Sequence, residues 1–107
     1  KGEVRGGDNT MLKAAFMFVS PDVESGKRVK IDTPTLSMMM VGAKDYDEAV
    51  NIAKNLVEEG IQLIELCGGY GPVGAAKIIE AVGDKIPVGL VSFGSESAGR
   101  LAALLKK

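Results

Sequence analysis

Residues 61–74, IQLIELCGGYGPVG, decide the fold. Ile61 to Cys67 is a short apolar run interrupted by Gln62 and Glu65, and it meets a glycine cluster just before Pro72, whose missing amide is harmless in the first turn of a helix. A strand that passes through a tight turn straight into a helix is half of a β-α-β unit, and the flanking sequence supplies the rest. Upstream, Asp45 and Glu48 form an N-cap and N3 pair, and Tyr46, Ala49, Val50, Ala53, Leu56 and Val57 recur at helical spacing until Gly60 ends the helix. Downstream, Ala75, Ala76, Ile79 and Val82 predict the buried stripe of a second helix, Gly83 its end, and IPVGLVSF, residues 86–93, the next strand. A last helix is expected from about Ser97, capped by Ser95 or Ser97 and burying Ala98, Leu101, Ala102 and Leu105.

Toward the amino terminus, KAAFMFVS (13–20) and TLSMMMV (35–41) read as two further strands. The stretch between them, bracketed by Pro21 and Pro34, is long for an ordered connection and reads as a functional loop or as a solvated crossover. Within it Val29 and Ile31 alternate with Arg28, Lys30 and Asp32, a pattern that can add a short edge strand. Residues 1–10 carry nothing that belongs to a core and are set apart as an amino-terminal arm or a non-native extension. The expectation is one α/β domain over 11–107: a small four-stranded, mainly parallel sheet with three helices, built as a βα repeat that is half-barrel-like or flavodoxin-like. Strands in sequential order would put the helices on one side and leave the other to the long loop, the amino-terminal arm or a second subunit, most simply in a homodimer; a reversal of order would put helices on both. Met38, Met39 and Met40 then serve as core or interface filler.

Composition narrows the chemistry. A chain of 107 residues with 46% apolar and 25% charged residues has room for one hydrophobic core. Its net charge of −1 gives no electrostatic footprint for nucleic acid or an anionic membrane, so neither is an expected partner. There is no histidine, which removes the usual catalytic triads and, with a single cysteine, most zinc sites; no metal is expected. One cysteine forms no internal disulfide and AAFMFV is too short to span a bilayer, so a cytoplasmic location is expected.

Ligands of open parallel sheets and barrels sit at the carboxyl ends of the strands. Gly69, Gly71 and Gly74 match G-x-G-x-x-G between a strand and a helix, and Gly68, Gly69, Tyr70 and Gly71 can turn backbone amides toward a phosphate or carboxylate. The same glycines can equally serve only a tight turn and a closely packed helix. A dinucleotide would want an acidic residue at the end of the next strand, where Ser92 and Phe93 stand, so no cofactor is expected. Ser95 and Ser97 offer hydroxyls at another helix start, and Lys44, after the second of the main strands, offers a cation. Alternation places Leu63, Glu65 and Cys67 on one face and Ile64 and Leu66 on the other, which sets a carboxylate and a thiol together as candidate acid/base and nucleophile. The competing roles are a structural ion pair or interface contact for Glu65 and a small apolar filler for Cys67. The leading expectation is binding of an anionic small molecule, phosphorylated or carboxylated, at the glycine and serine loops. The alternatives are a non-catalytic oligomeric module and a lyase or isomerase that uses Glu65.

The segments VGAKDYDEAV (41–50), EEGIQLIELCGGYG (58–71) and KIPVGLVSF (85–93) resemble a family of short bacterial and archaeal proteins classed as a domain of unknown function, chiefly through IELCGGYG. The likeness covers most of residues 12–93 and implies no particular activity. EEGIQLIEL followed by a helix more distantly resembles the second strand of keto-deoxy-phosphogluconate aldolase barrels, where a glutamate at the position of Glu65 assists proton transfer. That likeness spans one βα unit and brings no Schiff-base lysine with it.

Overall fold

A computed structural model describes residues 11–106; the arm at 1–10 lies outside the described residues. The elements are β1 (Leu12–Val19), β2 (Arg28–Asp32), β3 (Leu36–Ala43), α1 (Tyr46–Glu58), β4 (Leu63–Leu66), α2 (Gly71–Val82), β5 (Val88–Leu90) and α3 (Ser95–Leu105), with a 3-10 turn at Gly68–Tyr70 before α2. The sheet has five strands, not four, in the order β2-β3-β1-β4-β5. The additional strand is the alternating segment at Val29 and Ile31: β2 pairs antiparallel with β3, while β1, β3, β4 and β5 are mutually parallel. The stretch between the two prolines is therefore largely a hairpin, tied down where Gly26 N–H donates to Gly42 O and Gly42 N–H to Lys27 O.

The order reverses at β1, yet the reversal does not put helices on both faces. The link from β1 to β3 contains β2 and no helix, whereas β3-α1-β4 and β4-α2-β5 both progress toward the β5 edge. Right-handed crossovers in one direction lay their helices on one face. The core lies there: Ala15, Met17, Val41, Ala43, Ile64 and Leu66 of the sheet meet Ala49, Ala53 and Leu56 of α1 and Ile78 and Val82 of α2. Alanines at facing positions of sheet and helix let α1 approach closely. The order with β1 at the centre is not the sequential order of a half-barrel.

Helix ends follow the sequence closely. Asp45 caps α1 by accepting from Glu48 N–H at 2.8 Å, and Glu48 reaches back to Lys44 N–H at 2.7 Å, one residue beyond the usual capping box. Gly60 (φ +98°) and Gly83 (φ +65°) leave α1 and α2 in conformations that disfavour side chains. Two expectations are corrected. The buried stripe of α2 is Gly74, Ala75, Ile78 and Val82, shifted from the predicted one, with Ile79 half-exposed. Helix α3 begins at Ser95 with Gly94 as N-cap, and none of its residues is buried. Its apolar stripe, Ala98, Leu101, Ala102 and Leu105, lines an open groove instead of a packed core.

Candidate functional site

The site is set by the reversal of strand order. The chain leaves β1 toward β3 and leaves β4 toward β5, so the loops after these two adjacent strands part in opposite directions, which is where open α/β sheets bind ligands. Cys67 is extended and its N–H still donates to Met17 O at 2.9 Å, carrying the pairing one residue beyond β4. The Gly68–Tyr70 turn follows, and Gly71, at φ +60°, redirects the chain into α2. The first amides of such a turn have no partner within it.

Two tyrosines hold the turn. The Tyr70 ring is buried and stacks on Tyr46 with centroids 5.8 Å apart, and the Tyr46 hydroxyl donates to the carbonyls of Gly69 (3.1 Å) and Tyr70 (3.0 Å). The Tyr70 hydroxyl makes a long bond, 3.4 Å, to Phe18 O, joining the turn to β1. Burial pushes that hydroxyl's pKa well above its ordinary value, with Cys67 and Tyr46 adding to the shift, so it stays protonated. Gly74 is tight for a contact reason: a Cβ there would stand 3.0 Å from Tyr46 Cε1 and 3.1 Å from Tyr70 Cβ. Two glycines of the G-x-G-x-x-G pattern thus have mechanical reasons, a turn at Gly71 and close packing at Gly74.

Beside the turn lies a groove of about 640 Å³, open between the glycine backbone, the residues of β5 and its extension, and the apolar stripe of α3. Cys67, Gly68, Gly69 and Gly71 line it. Tyr70 does not, because its side chain faces the core. Glu65 is exposed on the sheet face away from the helices, as the alternation predicted, and is not a lining residue. Ser95 and Ser97 sit in the first turn of α3 outside the lining, and Lys44 follows β3 with its N–H bonded to Glu48. The two loops therefore contribute unequally: glycine amides from one, and Leu90, Phe93, Leu101 and Leu105 along the rest. These apolar groups read in sequence as strand and helix core, and their periodicity could not tell a groove wall from a buried stripe. Among the described residues no lysine or arginine lines the groove. A depression between α1 and α2, lined by Asp47, Asn51, Lys54, Lys77 and Glu80, is of mixed charge and away from the strand ends.

This is an open, mostly parallel α/β protein with a groove at the carboxyl ends of its strands. The chain belongs to a family of unknown function (DUF6506), whose model matches residues 12–106 and so takes in every strand and helix, α3 included. No curated protein and no solved structure matches the chain. Among the described residues no helix is long and apolar enough to cross a membrane.

Proposed function

We propose that the groove binds a small molecule with an apolar body and one anionic group, the anion resting on the amides of Gly68 and Gly69. The observation that carries this reading is the meeting, in one cavity of about 640 Å³, of a glycine turn at a helix start with the side chains of Leu90, Phe93 and Leu101. A lining that, among the described residues, holds no lysine or arginine favours a singly charged carboxylate over a phosphate dianion, which usually takes a cation as well. Cys67 lines the groove, where a thiol can contact the ligand. Ser95, Ser97 and Lys44 have no part in this reading; Glu65 does not line the groove, so a lyase or isomerase using it would need its substrate to reach along β4 beyond the lining. The wall formed by α3, none of whose residues is buried, is the element able to close over a ligand.

Melting curves with medium-chain and aromatic carboxylates, set beside sugar phosphates and nucleotides, test the proposal. A carboxylate at 100 times its Kd stabilises by about 2.7 kcal/mol. Gly68→Asp, which has room for a Cβ at 3.5 Å from its nearest neighbour, should abolish that shift while leaving the unliganded melt in place. A shift with phosphorylated compounds alone, or with none of the panel, overturns the reading.

A further inference from the structure

The sheet has a second face, and its polarity is inverted. One row across the strands runs Lys30, Met39, Ala15, Ile64 and Val88 on the helix side; the next runs Val29, Met40, Phe16, Glu65 and Gly89 on the other. Strand β2 shows the inversion most clearly. Arg28, Lys30 and Asp32 lie on the side that carries the helices, and Arg28 there makes a two-pronged ion pair with Glu59 at the end of α1, at 2.7 and 3.0 Å. Val29 and Ile31 turn to the opposite side and are 60% and 68% exposed. Helices α1 and α2 pack on the other side, whereas on this one Val23 and Phe18 converge on Gly42, and Ala14, between Met38 and Leu63, is buried. A strand destined for water on its outer side would carry its charges there and its valine and isoleucine inward.

We infer that this face is the interface of a homodimer in which two sheets pack face to face. A second copy is the occupant that the surface describes. The face carries a contiguous set of apolar side chains, Leu12, Phe16, Met38, Met40, Val29 and Ile31, that can meet their own copies across a two-fold axis at the ~10 Å spacing of stacked sheets. Among the described strand residues on this face the one charged side chain is Glu65, so the face is not suited to an anionic lipid surface, which calls for lysine and arginine. Glu65 lies on β4, toward the β5 edge, with Gly89 beside it. With the axis along β3, two strands from β4, the two carboxylates fall on opposite flanks roughly 19 Å apart, beyond the ~10 Å over which salt leaves charges coupled. At ~4.8 Å between strands and ~3.3 Å per residue the five strands present a plane of roughly 450 Å². Side chains standing on that plane bring the accessible surface toward the ~600 Å² per partner at the lower end of specific interfaces. The dimer is accordingly reversible, assembling as concentration rises, and leaves the groove and α3 open to solvent at the strand ends.

Sedimentation velocity of the full chain from low micromolar to several hundred micromolar tests the inference. The wild-type chain should shift from monomer to dimer across that range. The double variant Val29→Lys, Ile31→Lys changes two exposed positions, and should retain the circular dichroism and melt of the monomer while weakening the dimer roughly tenfold or more. Leu104→Lys, at an exposed position of α3, should leave the dimer constant unchanged. A wild-type chain that stays monomeric throughout overturns the inference, as does a dimer that survives the double lysine variant or is lost with Leu104→Lys. A chain that is monomeric with residues 1–10 and dimeric without them would make that arm the occupant and equally overturn it.

Discussion

Replacing Gly74 by alanine sets two effects of opposite sign against each other at the site's support. In a helix, alanine is favoured over glycine by up to about 1 kcal/mol, because it loses less backbone freedom on folding. Against this, the new methyl would lie 3.0 and 3.1 Å from Tyr46 Cε1 and Cζ and 3.1 Å from Tyr70 Cβ, closer than carbon atoms pack comfortably. Tyr46 cannot simply swing aside: it stacks on Tyr70 and its hydroxyl holds the carbonyls of Gly69 and Tyr70. Overpacking of this kind costs ~1–3 kcal/mol, and loosening the tyrosine's hydrogen bonds adds ~0.5–1.5 kcal/mol. The contact terms win, and the net expectation is a loss of about 0.5–3.5 kcal/mol, or ~4–8 °C in Tm for each kcal/mol in a domain of this size. Gly99→Ala is the matched control, since a methyl there meets nothing within 4 Å and α3 buries none of its residues. It should raise helicity without lowering Tm. Urea denaturation of both variants, with amide exchange at Gly68 to Gly71, reads the two effects separately. A Gly74→Ala protein as stable as the wild type, with unchanged exchange in the turn, would refute the claim that Tyr46 and Tyr70 clamp the glycine loop against α2.

Two further perturbations bear on charge. Glu48, through the Ser25 hydroxyl and Lys44 N–H, and Glu59, through Arg28, both have carboxyl pKa values held below the ordinary value. Groups depressed in the folded state stabilise it above the unfolded carboxylate pKa of ~4.3 and lose that contribution as pH falls through their folded values. Tm should therefore be flat from neutral pH to about 5 and decline below ~4.3, with a shallower decline in the Glu48→Gln, Glu59→Gln double variant; an identical slope in both proteins would count against these contacts. Glu65 is exposed and belongs to no ion pair among the described residues, so Glu65→Gln should change the melt by less than ~0.5 kcal/mol. A loss of several kcal/mol would mean that its charge has a buried partner.

The parts of the fold that were legible in sequence are those specified by neighbours in the chain. Asp45 and Glu48, Gly60, Pro72 and Gly83 act through bonds and dihedral angles within a few residues, and each stands at the helix end predicted for it. The alternation of Ile64 and Leu66 against Glu65 is likewise local, and it fixed which way the glutamate faces before any strand order was known. Strand order was not legible, because it depends on whether the link after β1 carries a helix, and a hairpin strand with alternating charges resembles a loop until it finds β3. The site was half legible for the same reason. A glycine turn announces itself in sequence, but Leu90, Phe93, Leu101 and Leu105 have the periodicity of core residues and line a groove only because the sheet ends at β5. The face bearing Val29 and Ile31 is left unpartnered by one topological fact: the chain devotes its first crossover to a strand instead of a helix. A β1-to-β3 link with a helix of its own would have covered the second face, and the same apolar side chains would then be core.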